Sequence, residues 1–223
     1  MIKRVEKVTN KITLYNCNCM EFMKGISDNY YDLAIVDPPY FKGVANGSYF
    51  GGKVSKTGVK RLCSKSDNWD SNIPNINYYN ELVRVSKNQI IWGINYFNFG
   101  VTGGCIIWDK KNDSSTFSNC EIASNSLING VFIYRELWNG MLKTENSKRI
   151  HPTQKPVKLY EWLLKNYAKH ADKILDTHFG SCSIGIACHN FGCTLDACEL
   201  DGQYFDNAFK RVRAHVRQLD LFK

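Results

Sequence analysis

Asp37-Pro38-Pro39-Tyr40 places an acid, two rigid prolines and an aromatic ring within four residues. The set suits an exocyclic amino group on an aromatic base, whose lone pair is delocalised into the ring and is a poor nucleophile. A carboxylate and a fixed backbone carbonyl can both accept from that NH₂, drawing the nitrogen towards tetrahedral geometry and freeing the lone pair for an electrophilic methyl. Proline fixes the direction of the carbonyl, and Tyr40 offers a face on which an extruded base can stack. The same tetrapeptide also serves as a plain strand-terminating turn, so its context decides.

Two further constellations lie downstream. Asp176-Thr177-His178-Phe179-Gly180-Ser181-Cys182-Ser183 joins an acid to a small-residue turn, and Glu199 follows Asp176 by 23 positions. Such turns let backbone approach a nucleotide closely, and an acid after the next strand can hold two ribose hydroxyls. Gly180 to Gly185 lacks the Lys-Ser/Thr of a phosphate loop. His151-Pro152-Thr153-Gln154-Lys155-Pro156 is a stiff loop before a helix, and Lys155 could meet a carboxylate there.

The elements that must position these residues alternate between strand and helix. Asp32-Leu33-Ala34-Ile35-Val36 is a short apolar run stopped by two prolines, which predicts a buried parallel strand. Gln89-Ile90-Ile91-Trp92, Cys105-Ile106-Ile107-Trp108 and Val131-Phe132-Ile133-Tyr134 predict further buried strands, and so do 173–176 and 194–198. Helices are predicted over 77–86, 157–167, 184–191 and 202–216. The alternation implies a mostly parallel sheet in a single domain spanning 1–223, with ligands beyond the carboxyl ends of the strands. Asp37, Asp176 and Glu199 all fall at such ends.

The chain carries 29 Lys and Arg against 21 acids, a net charge of +8, and a pI near 9.0. That balance suits a polyanion. The polar, lysine-bearing stretches 41–70 and 110–119 are the expected nucleic-acid contacts, through Lys53, Lys56, Lys60, Arg61, Lys110 and Lys111. No membrane-length apolar run and no secretory leader is read, and an odd count of nine cysteines implies reduced thiols in a cytoplasmic setting. Cysteine spacing predicts no metal site.

Taken in order, D-P-P-Y, H-P-T-Q-K-P, the F-G-S turn and the acid after the following strand resemble the DNA amino-methyltransferases. The likeness runs from about 12 to 213. Having the catalytic motif before the cofactor motif is similar to the circularly permuted beta group, and to phage and prophage enzymes. The resemblance implies a Rossmann-like class I methyltransferase fold with a mixed, mostly parallel, seven-stranded sheet. It implies S-adenosylmethionine as methyl donor, S-adenosylhomocysteine as product, and direct transfer to a base flipped from double-stranded DNA, as in restriction-modification. Members are often dimers. Asp37 at the first motif position is similar to adenine-N6 enzymes, whereas cytosine-N4 relatives more often have Ser; a degenerate DNA-binding or partner subunit and action on RNA or a glutamine side chain are the alternatives.

By the same resemblance, Asp37 and the Pro38 carbonyl hold the target amino group, Pro39 stiffens the turn and Tyr40 stacks on the base. Phe179, Gly180 and Ser181 line the methionine end of the cofactor, Glu199 holds its ribose, and Asp176 and Lys155 stand near it, Lys155 at the carboxylate. Asn18 takes the place of an acid that contacts the cofactor adenine. His178 and Cys182 depart from the family pattern, which has an aromatic and a second glycine there. His178 is expected to touch the cofactor, and Cys182 to put a Cβ where backbone and ligand approach.

Overall fold

Leu33, Ala34, Ile35 and Val36 form a strand whose alternate side chains enter two separate cores, Leu33 and Ile35 on one face and Ala34 and Val36 on the other. A run that is apolar at every position suits a strand covered on both faces, because neighbouring side chains point to opposite sides of the sheet. The computed structural model describes residues 2–39, 74–100, 103–113, 118–138 and 149–220, with the side chains of 219 and 220 left aside. Tyr40 and the stretch 41–70, with Lys53, Lys56, Lys60 and Arg61, lie outside the described residues.

The described strands are β1 (Arg4–Lys7), β2 (Ile12–Asn16), β3 (Leu33–Val36), β4 (Gln89–Trp92), β5 (Gly104–Asp109), β6 (Cys120–Asn125), β7 (Val131–Arg135), β8 (Lys173–Asp176) and β9 (Thr194–Glu199). They make one sheet in the order β1-β2-β9-β8-β3-β4-β6-β5-β7. Strands β2, β9, β8, β3 and β4 run parallel, while β6 is antiparallel to both β4 and β5. The sheet thus has nine strands where seven are expected. β1 is charged and mostly exposed, and β6 mixes Glu121, Ser124 and Asn125 with few apolar residues, so neither carries an apolar run.

Helices α1 (Cys19–Lys24) and α2 (Ile76–Val85) share one core, built around Phe22, Met23, Tyr78, Leu82 and Val85. Helices α3 (Val157–Tyr167), α4 (Ser183–Phe191) and α5 (Gly202–Asp220) cover the opposite face, with Leu159, Leu163, Ile184, Phe205 and Val212 in the other core. Chain order places β3 and β4 on one side of a seam and β8 and β9 on the other, and this seam is a topological switch point.

One strand differs in character from its sequence expectation. Val131-Phe132-Ile133-Tyr134 reads as buried, yet β7 pairs only with β5 among the described residues, and Val131 is 64% exposed. Apolar content alone cannot tell an edge strand from a central one. No helix among the described residues is long and apolar enough to cross a membrane.

Candidate active site

A cavity of about 790 Å³ opens over the carboxyl ends of the parallel strands. Asp37 and Pro39 enter it from β3, Thr177 to Ser181 from β8, and Glu199 to Gly202 from β9. Cys17, Asn18 and Cys19 close it from the end of β2, Tyr78 from α2, and His151 with Thr153, Gln154 and Lys155 from the loop before α3. Residues as far apart in sequence as Cys17 and Gly202 meet because parallel strands present their carboxyl ends on one side.

Asp37 is held asymmetrically. Its Oδ2 accepts from Lys155 Nζ at 2.5 Å, while Oδ1 is buried with no hydrogen-bond partner among the described residues. Lys155 Nζ also pairs with Glu121 Oε2 at 2.9 Å, and Glu121 Oε1 with Lys110 Nζ at 2.7 Å. Lys155 rests on the Trp92 ring, 5.4 Å from its centroid. The result is a row of alternating charges: Asp37, Lys155, Glu121, Lys110. Burial raises the Asp37 carboxyl from its ordinary value, with Lys155 opposing the rise. Burial pushes Glu121 upward as well, but Lys155 and Lys110 outweigh it and hold Glu121 at about 2. The Lys155 ammonium opposes burial and is stabilised by Asp37 and Glu121.

Two expectations change here. Lys155, expected at a ligand carboxylate, is bound between two carboxylates of the protein. Lys110, expected to reach for phosphate, is engaged by Glu121 and only 14% exposed in its side chain; Lys111 alone of that pair is exposed. Glu121 carries no sequence signal, since a single acid in a polar stretch looks like a solvated surface residue.

The glycine turn forms the opposite wall. Gly180 has φ +49, and an added Cβ would lie 3.2 Å from the His151 ring. This conformation and this contact both favour glycine. The H-P-T-Q-K-P loop and the F-G-S turn are therefore one packed unit, tied again where Ser183 Oγ donates to the Lys155 carbonyl at 2.7 Å. Gly180 N donates to Glu199 Oε2 at 3.0 Å and Asp201 N to Oε1 at 2.9 Å, which fixes Glu199 at the cavity edge. Burial raises Glu199 to about 7. Gln154 Oε1 accepts from Ile150 N at 3.0 Å, which fixes the amide orientation and leaves its buried Nε2 without a partner among the described residues.

His178 does line the cavity, but both ring nitrogens have protein partners. Nδ1 meets Thr177 Oγ1 at 2.9 Å, Nε2 meets Cys19 Sγ at 3.8 Å, and Tyr78 OH joins Thr177 at 2.6 Å. Burial lowers the imidazole to about 4 and keeps it neutral. Asp176 accepts from His178 N at 3.0 Å beneath the turn, is raised to about 8 by burial, and does not line the cavity. Asn18 caps α1, its Oδ1 accepting from Met20 N at 2.8 Å; the carbonyl expected to meet an adenine amino group is already used. Cys182 is also absent from the lining. It adopts a left-handed conformation (φ 54) with its side chain in the core, so its Cβ does not narrow the cavity; the departure costs backbone strain instead.

A family model for DNA methylases of the N6/N4 type matches residues 109–210, from the end of β5 into α5. The chain is 24% identical to the Type II methyltransferase M2.DpnII of Streptococcus pneumoniae, over 92% of this chain and 91% of that protein. It is 26% identical to the Type II methyltransferase M2.MboI of Moraxella bovis, over 82% of this chain and 80% of that one. In fold it is similar to M1.HpyAVI, solved with SAM, at a TM-score of 0.57 and 21% identity, over 90% of this chain and 99% of that one. It is similar also to the cytosine-N4-specific PvuII DNA methyltransferase, at 0.55 and 9% identity, over 95% and 93%. Over residues 109–210 the chain is thus similar in sequence to DNA methylases of the N6/N4 type, and over its whole sheet it shares the fold of solved DNA methyltransferases.

Proposed function

We propose that the protein is an S-adenosylmethionine-dependent DNA methyltransferase acting on the N6 amino group of adenine. One observation carries the reading: Asp37 presents a buried Oδ1 at the cavity that no described residue satisfies, while Lys155 holds Oδ2. A buried acceptor without a donor is costly, and a target N–H would satisfy it.

The cavity fits the implied cofactor. Its volume is within the range of small-molecule sites. Gly180 gives close backbone approach, Glu199 stands where ribose hydroxyls can donate, and the unpartnered Gln154 Nε2 is a donor suited to a carboxylate. When bound, the cofactor supplies an electrophilic methyl group on a sulfonium. Asp37 Oδ1 and the Pro38 carbonyl accept from the two hydrogens of the target amino group and orient its lone pair. Asp37 Oδ1 then takes the proton that the alkylated nitrogen sheds, a task eased by its raised proton affinity. Tyr40, outside the described residues, is the stacking residue by sequence, and Lys53, Lys56, Lys60 and Arg61 remain the phosphate contacts on the same basis. Neutral His178 and the Thr177 and Tyr78 hydroxyls form a wall and take no proton.

Adenine is favoured by the acid at position 37. The cytosine-N4-specific PvuII enzyme shares the fold, so the fold alone does not choose the base. The test is transfer of labelled methyl to defined double-stranded DNA, followed by nucleoside analysis. N6-methyladenine is the expected product; N4-methylcytosine would overturn the base assignment, and no transfer would overturn the function.

A further inference from the structure

We propose that Glu121 is a positioning residue for Asp37, acting through Lys155, so that one Asp37 oxygen is fixed and the other keeps its strength as an acceptor. The inference rests on the function proposed above. Four segments contribute one charge each: Asp37 follows β3, Lys110 follows β5, Glu121 lies in β6 and Lys155 precedes α3. Contacts of 2.5, 2.9 and 2.7 Å link them in a row. Two ammonium groups and two carboxylates sum to zero.

A buried ion pair is a weak way to stabilise a fold, because desolvation offsets much of the attraction. Orientation of Asp37 is a better account of the row. With Lys155 alone, Asp37 would face a full, undivided positive charge a hydrogen bond away. That pairing would draw density from the carboxylate and weaken Oδ1 towards a target amino group. Glu121 takes a share of the Lys155 charge and anchors the ammonium from the far side, leaving it little freedom to swing. Lys110, more exposed than Lys155, in turn keeps Glu121 ionised. The antiparallel part of the sheet thus reaches the site through one side chain that itself lies outside the cavity lining.

The alternative role for Lys155 is to hold the carboxylate of the cofactor directly. The two roles differ in what substitution does. In Glu121→Gln, single-turnover methyl transfer should fall on the order of tenfold to a hundredfold. Cofactor affinity and KM for DNA should stay within about threefold. Lys155→Met should lose transfer more severely, again with cofactor affinity largely kept. Glu121→Asp should recover part of the loss, and Lys110→Met should show a smaller fall of the same kind. Lys110→Met also serves if Glu121→Gln fails to fold.

A readout that needs neither cofactor nor DNA is the titration of the ¹³C-labelled Asp37 carboxyl. The charged and titratable groups acting on it are Lys155, Glu121, Lys110, Tyr160 and Asp176. Glu121→Gln removes a negative neighbour, so the proton affinity of Asp37 should drop by about tenfold or more. Wild-type transfer rates in Glu121→Gln, loss of cofactor affinity in parallel with rate, or an unmoved Asp37 titration would each overturn the inference. If the wild-type protein transfers no methyl group, the proposed function fails, and the inference is then decided by the Asp37 titration alone.

Discussion

The parallel and antiparallel parts of the sheet differ in what they contribute. β9, β8 and β3 lie side by side, are covered on both faces, and end at Glu199, Asp176 and Asp37. β6, β5 and β7 form a flank whose last strand exposes Val131, Phe132 and Ile133. The parallel part builds the cavity because its strands all finish at one edge. The flank supplies mainly the charges behind Asp37, Glu121 from β6 and Lys110 just after β5. On the proposed function, the acid that meets the target amino group is set by one half of the sheet and tuned by the other.

Breaking the centre of the parallel part should have the largest effect. Asp37→Ala removes the acceptor itself and should lower methyl transfer by about a thousandfold or more, with cofactor binding measured by calorimetry largely kept. Surviving activity would remove Asp37 from its proposed role.

Core position is the next contrast. Ile174 in β8 is fully buried, so Ile174→Ala should destabilise by about 2–5 kcal/mol. Phe132 in β7 is 49% exposed, and Phe132→Ser should shift stability by roughly 0.5 kcal/mol or less. Denaturant melts measure both. Equal losses would mean that β7 is covered in solution.

Gly180→Ala tests the turn. The left-handed backbone and the His151 contact together should cost about 1–2 kcal/mol. Because the glycine turn and the H-P-T-Q-K-P loop press on each other, cofactor affinity should fall too; a melting temperature and affinity equal to wild type would show that the two do not pack.

The smallest effect is that of pH. Glu199 and Asp176 are raised to about 7 and about 8, so the fold holds protons that the unfolded chain has already released. Their contribution is present at low pH and lost as pH rises through those values. His151 and His178, lowered to about 3 and about 4, act oppositely, but only below the unfolded imidazole range near 6.5. Between about pH 6.5 and 8.5 these two acids outweigh the histidines, and the melting temperature should fall by a few degrees. Glu199→Gln should flatten that slope, and a melting temperature that rose over the interval would contradict the assignment.

Much was legible in the sequence because it is local. The run 33–36 ahead of two prolines, the helix at 157–167 and the acids closing β3, β8 and β9 follow from period, apolar content and chain breakers. So does the order of motifs that carries the family likeness. What the chain could not display were relations between distant segments. Gly180 is favoured as glycine partly because His151 lies against it, 29 positions earlier in the chain. Cys182 faces the core and Asn18 caps a helix, although their types invite ligand roles. Lys155 and Lys110 carry positive charge in any reading, but only the tertiary structure gives both of them to Glu121. The reason is physical: a side chain's type fixes what it can bond, while packing fixes which partner is within about 3 Å to bond it.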